Sequence, residues 1–223
     1  MTILKDTLRF LEDLAAHNDR EWFKANKPLY EAAQANMKEF VKAVEEELGK
    51  TDHLEGSKLF RIYRDVRFSK NKAPYKTYFG ASFRRATNRL RGGYYLHIQP
   101  GQSFVGGGFW APNPADLKRI RDEFVFDDKP IRAIIGAPDF VRHFGTLQGE
   151  ELKTAPKGFD RNHPAIDLIR KKQFVVQRAF SDKEVTSSGF LSEVRQTSEA
   201  MRPYFDYMSE VLTTDLNGES ILP

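Results

Sequence analysis

The side chains best suited to chemistry are crowded into residues 58–76, KLFRIYRDVRFSKNKAPYK, which we call the basic segment. It contains seven Lys and Arg residues and a single acid, Asp65. Arginine suits phosphate and carboxylate binding, because its planar fork donates two parallel hydrogen bonds to an oxyanion. The segment therefore predicts a site for a small anion, with Arg61, Arg64, Arg67, Lys72 and Lys76 as its candidate ligands.

Aromatic and branched side chains alternate with these charges, and this leaves a second interpretation open. If residues 59–68 form a straight strand, Arg64 lies on the apolar face with Phe60. A buried arginine needs a partner, because an unpaired buried charge is very costly. The cluster could then be an internal network neutralised by Asp65 and distant acids. Alternatively, a bulge at Arg64 and Asp65 could turn the charge outward.

Hydrolysis or group transfer on a bound anion would need a side chain that carries a proton. The candidates are His97, Tyr75 and Asp65. Like charge from a neighbouring basic patch would lower the pKa of His97, so that it stays neutral and can accept a proton. The alternative is a histidine that is simply hydrogen-bonded within the sheet.

Four further residues are candidates for lining the pocket. Tyr95 shares a face of its predicted strand with His97, and Trp110 ends the next strand. Gly107 is the centre of three consecutive glycines, a run that weakens a strand and indicates close approach to the backbone. His163 precedes a proline at a predicted helix start, and helix N-termini attract anions.

Several classes of chemistry find no support in the sequence. The absence of cysteine excludes disulfides, zinc–thiolate sites, iron–sulfur clusters and thiol catalysis. Five histidines without close acid spacing argue against a metal site. The motifs of phosphate loops, dinucleotide-binding folds, zinc proteases and serine hydrolases do not occur. We therefore predict neither a metal nor a cofactor.

The distribution of charge says more about partners than the net charge of +4 does. Residues 58–91 hold eleven bases and one acid, whereas the rest of the chain holds 24 bases and 30 acids. Besides a small-ligand binder, this pattern fits a nucleic-acid-binding module, or a non-catalytic interaction protein with an internal arginine network. An acid-containing N-terminus and the lack of a long apolar run predict a soluble, cytoplasmic protein without a membrane partner.

The elements that must position these residues indicate an α+β fold in a single domain, residues 1–223. Helical spacing of apolar residues predicts N-terminal helices up to Leu48 and a C-terminal helix from about Ser188 to Leu212. Between them, residues 59–110 and a strand near 173–180 form a curved antiparallel sheet that these helices cover.

Four stretches resemble a known family. They are FLEDLAAHNDREWFKANKPLYE at 10–31, RIYRDVRFSKNKAPYKTYFG at 61–80, YYLHIQPGQSFVGGGFW at 94–110 and PKGFDRNHPAIDLIRKKQF at 156–174. Together they are similar to the bacterial and fungal family called domain of unknown function 2461, over nearly the whole chain. The resemblance implies one intact domain, and it implies neither an activity nor catalytic residues.

Overall fold

The computed structural model describes residues 1–222 and confirms the α+β class. Five strands form one open antiparallel sheet in the order β1-β2-β3-β4-β5, so each strand pairs with its neighbours in sequence. The strands are β1 (Leu54–Leu59), β2 (Phe79–Arg85), β3 (Gly93–Ile98), β4 (Ser103–Phe109) and β5 (Phe174–Phe180). The meander and the strand near 173–180 were both expected from the sequence.

Helices occupy both ends of the chain and the connection between β4 and β5. They are α1 (Lys5–Ala16), α2 (Arg20–Ala25), α3 (Lys27–Gly49), α4 (Pro114–Phe126), α5 (Lys129–Ile135), α6 (Pro138–Phe144), α7 (Ile166–Ile169), α8 (Asp182–Val185) and α9 (Phe190–Thr213). Asp19 caps α2 as predicted, because its carboxylate accepts a hydrogen bond from the Trp22 backbone nitrogen at 2.8 Å. No helix within residues 1–222 is long and apolar enough to cross a membrane.

The prediction of a strand from Leu59 to Phe68 is wrong. β1 starts earlier and ends at Leu59, and residues 60–78 form an irregular excursion before β2. The excursion closes on itself at an isolated antiparallel bridge between Tyr63 and Tyr75. This path keeps the charges in contact with water, since Arg61 and Arg67 are exposed and Arg64 is half-buried.

The chain divides into two compact units, and the prediction of one domain over 1–223 stays a prediction. The first unit comprises Met1–Arg84, Tyr95–Val105 and Ala179–Gln196. Its core includes Leu14 of α1 and Phe40 of α3, both fully buried, and Phe40 stacks on Phe190 at 5.5 Å between ring centroids. This unit contains the whole basic segment.

The second unit comprises Arg85–Tyr94, Gly106–Arg178 and the chain from Thr197 onward. Close packing in this unit explains the run of three glycines in β4. A Cβ on Gly107 would lie 2.5 Å from the Gly93 carbonyl oxygen and 2.7 Å from the Phe205 ring. The close approach to the backbone that the glycines indicated is therefore made by the chain itself.

Candidate functional site

Aromatic packing holds the basic segment against α2. The ring of Tyr75 is buried and stacks on Phe23 with 4.0 Å between ring centroids. The Asn18 amide donates to the Tyr75 carbonyl at 3.0 Å and accepts from its backbone nitrogen at 3.1 Å. Burial raises the pKa of the Tyr75 hydroxyl, which therefore stays protonated at neutral pH. Tyr75, a candidate proton carrier, thus anchors the segment.

Three of the seven cations in the segment are engaged within it. Arg67 forms a two-pronged ion pair with Asp65, with Nε–Oδ1 and Nη2–Oδ2 distances of 3.0 and 2.7 Å. Hydrogen bonds from Arg67 hold the pKa of Asp65 below its usual range. Arg64 donates to the Ala73 carbonyl at 3.2 Å, and Lys72 donates to the Val66 carbonyl at 3.0 Å. These contacts shape the loop.

The other four cations have no acid partner among residues 1–222: Lys58, Arg61, Lys70 and Lys76. The Lys76 amine lies between two rings, 5.7 Å from the Phe60 centroid and 5.8 Å from that of Tyr78. Burial and the positive charge of Arg61 both lower the pKa of Lys76. Three of these four cations, Lys58, Arg61 and Lys76, therefore lie near the points where the segment leaves and rejoins the sheet, and Lys70 lies in the middle of the loop.

A cluster of rings on one face of the sheet continues this site. Tyr94, Leu96 and Ile98 of β3 are buried, whereas Tyr95 and His97 point to the other, half-exposed face, as the alternation predicted. The His97 ring lies between Tyr78, 4.3 Å away, and Phe104, 4.8 Å away. Phe60 links the cluster to Lys76, because its ring centroid is also 6.4 Å from that of Tyr95.

His97 and Tyr95 are both neutral in this environment. Burial lowers the pKa of His97, so burial rather than the expected neighbouring charge keeps it unprotonated. Its Nε2 lies 2.9 Å from the Gln99 Oε1, and its Nδ1 lies 3.5 Å from the Tyr95 hydroxyl. A neutral ring with Nε2 donating leaves Nδ1 as the acceptor. Burial raises the pKa of Tyr95 to about 12, so its hydroxyl is a donor.

Three of the predicted pocket residues belong to the second unit. Trp110 is exposed, and Gly107 packs against the Gly93 carbonyl oxygen and the Phe205 ring. The helix expected at residues 162–171 is wrong in its start, because α7 spans Ile166–Ile169 and has a single turn. His163 lies before that helix, and its Nδ1 accepts a hydrogen bond from the Ala165 backbone nitrogen at 3.1 Å.

Sequence reasoning missed residues that complete the site. Phe60 and Tyr78 hold Lys76, and Phe104 covers His97. Strand alternation could have placed Phe104 on the face of Tyr95 and His97, since the two strands are adjacent. It could not have placed Phe60 and Tyr78, because they lie outside the regular strands.

The first unit also contains a cleft of about 520 Å³ lined by Leu4 and by residues of α1 and α3. The lining residues are Leu4, Asp6, Thr7, Arg9, Phe10, Asp13, Leu29, Ala32 and Ala33. None of them belongs to the basic segment. The candidate site is therefore a charged, ring-lined surface, and this cleft is a separate feature.

Comparison with known proteins places the chain in a family. The model of the family described as conserved hypothetical protein (DUF2461) matches residues 6–207. The chain belongs to this family. The match contains the basic segment and β3, so the resemblance stated from the sequence is confirmed. No curated protein and no solved structure matches the chain.

In this DUF2461 chain, a glycine makes room for the Tyr95 ring. A Cβ on Gly80 would lie 2.5 Å from the Tyr95 hydroxyl oxygen. We expect Gly80→Ala to displace the ring and to lower the free energy of unfolding by about 2 kcal/mol, measured by urea unfolding. Tyr95→Phe removes the clashing oxygen, so most of the loss should be recovered in the double variant. Equal losses on both backgrounds would contradict this contact.

Proposed function

We propose that this protein binds a small phosphorylated or carboxylated ligand at Arg61 and Lys76. The observation that supports the proposal is a pair of like charges, neither of which forms an ion pair within the described part of the chain. Arg61 is close enough to lower the pKa of Lys76, and the carboxylate that Arg61 also influences, Asp65, is held by Arg67. A bound anion would relieve the repulsion between the two cations, because it adds opposite charge beside both.

The surroundings of the two cations support a small anion. The rings of Phe60 and Tyr78 limit the positions that the Lys76 amine can take. Tyr95 contributes a ring to the same cluster and no charge, because its raised pKa keeps the hydroxyl protonated and that hydroxyl faces His97. A phosphate or carboxylate accepts hydrogen bonds from guanidinium and ammonium groups alike.

Binding of an anion at Arg61 and Lys76 does not by itself imply catalysis. A hydrolase or transferase acting on the bound ligand would need a base. His97 is the candidate, because it is neutral at pH 7 and its Nδ1 can accept a proton. Arg64, Arg67 and Lys72 would support the site indirectly by holding the loop in shape.

Thermal unfolding in the presence of phosphate, pyrophosphate, nucleotides and citrate tests the proposal. Binding to the native state stabilises it by RT ln(1 + [L]/Kd), which is about 2.7 kcal/mol at a hundredfold excess over Kd. We expect at least one of these anions to raise the Tm of the wild type. Lys76→Met and Arg61→Met should abolish the increase, because each removes one of the two charges.

The matched control is Arg142→Met, which removes an exposed cation that Asp139 already neutralises in the second unit. Its ligand-induced shift should equal that of the wild type. The absence of any shift in the wild type, or an undiminished shift in Lys76→Met, would refute the proposal.

A further inference from the structure

Phe68 lies in the middle of the basic segment with its side chain in water. The residue is 97% exposed, and its neighbours include Arg67 and Lys70. An almost fully exposed ring forgoes the stabilisation that burying a phenylalanine side chain would give. A single exposed apolar residue is ordinary, but Phe68 is flanked in the sequence by Arg67 and Lys70, so the same stretch offers an apolar contact and positive charge.

Hydrogen bonds on both sides of Phe68 tie down the loop that carries it. The Ser69 backbone nitrogen donates to the Val66 carbonyl at 3.3 Å, and Lys72 donates to the same carbonyl at 3.0 Å. Arg64 joins the two arms of the loop by donating to the Ala73 carbonyl. A loop held in this way presents the ring at a lower entropic cost of binding than a free loop would.

Cations without an acid partner lie along the same segment as the ring. Arg61 and Lys76 mark the two ends of the loop, and Lys70 lies two residues after Phe68. A ligand that uses all of them carries several negative charges along its length and at least one flat ring.

We propose that the ligand class is single-stranded nucleic acid. Its phosphates would contact Arg61, Lys70 and Lys76, and one unpaired base would stack on Phe68. The inference rests on the proposed function of Arg61 and Lys76 and extends it: the phosphate bound there belongs to a strand, whereas a free small phosphate would occupy the same two cations without reaching Phe68. A duplex fits less well, because its bases are already stacked on one another and offer no free face.

An anionic lipid surface also attracts an exposed ring that is flanked by cations. Binding to lipid grows with the apolar area that is inserted, and Phe68 is the one apolar side chain of the basic segment that is almost fully exposed. A single ring offers little area to insert, whereas it is enough to stack one base, so the segment favours nucleic acid.

Fluorescence anisotropy with labelled oligothymidylate and oligouridylate measures the binding. Phe68→Ala should weaken it about 5- to 150-fold, which corresponds to about 1–3 kcal/mol for one stacked base. Phe68→Trp should bind about as tightly as the wild type, because tryptophan also offers a flat ring. Phe68→Leu should bind as weakly as Phe68→Ala, because leucine is apolar but offers no ring. Three phosphate contacts predict that log K falls with log salt with a slope of about −2.

The proposed function and this inference fail in different ways. If no anion stabilises the wild type and no oligonucleotide binds, both are wrong. If phosphate raises the Tm through Lys76 but Phe68→Ala leaves oligonucleotide binding unchanged, this inference alone is wrong. Tighter binding to a duplex, to polyphosphate or to vesicles of anionic lipid than to the single strands would also overturn it.

Discussion

Replacing Gly108 by alanine is expected to lower the free energy of unfolding by about 4 kcal/mol, measured by urea unfolding. The added Cβ would overlap the Phe174 carbonyl oxygen and lie 2.9 Å from the Val175 Cα, both on β5. Backbone atoms of a paired strand cannot move aside as a flexible side chain can. Gly108 also has φ of +123°, a conformation that alanine adopts only with strain.

Gly158→Ala is the matched control for the strain. Gly158 has φ of +89°, but a Cβ there would meet nothing within 4 Å. We expect this variant to lose about 1 kcal/mol, from the backbone conformation alone. Similar losses in the two variants would show that β5 leaves room for a Cβ at residue 108, and this would contradict the close approach of the two strands.

The second large effect is expected at Arg85, the last residue of β2. Its side chain is 2% exposed, and Nη2 lies 2.5 Å from the Asp206 carboxylate. Nη1 also contacts the Ser209 hydroxyl at 3.5 Å and the Arg91 carbonyl at 3.4 Å. Arg85→Met should lower the free energy of unfolding by about 3 kcal/mol, because it removes a buried charge on which several polar groups converge.

Arg84→Met provides the comparison at the neighbouring residue. The Arg84 side chain is 74% exposed and pairs with Glu55 at 2.9 Å. An exposed pair of this kind contributes about 0–1 kcal/mol, so the variant should unfold almost as the wild type does. If the two variants unfolded at the same urea concentration, the contacts of the buried Arg85 side chain would have no net stabilising role.

Strand alternation predicts that Arg84 and Arg85 face opposite sides of β2, but it does not determine which of the two side chains is buried. That choice depends on α9, which brings Asp206 and Ser209 to Arg85 from 121 and 124 residues away. The sequence offers no local sign of contacts at such separation. The glycines of β4 likewise indicated that something packs closely against the backbone. The sequence could not identify β5 as that group, because β5 is distant in the sequence.

Regular elements were predictable because their signals are local. Helix capping by Asp19 and the β3 alternation depend on residues a few positions apart. The basic segment was predicted wrongly as a strand, because its rings and charges alternate as the residues of a half-buried strand do. Forming that strand would have turned Arg64 toward the apolar face, and the chain avoids this cost by leaving the sheet at Leu59.

The sequence by itself determined that the protein has an α+β fold and that its unbalanced positive charge is concentrated in one segment. Composition and spacing are sufficient for both conclusions. Only the tertiary structure decided which cations are engaged. Arg64, Arg67 and Lys72 form hydrogen bonds within the loop, whereas Arg61 and Lys76 form no ion pair in the part of the chain described. The physical reason is that the pairing of a charge depends on distances between atoms, and residue order does not determine these distances where the chain is irregular.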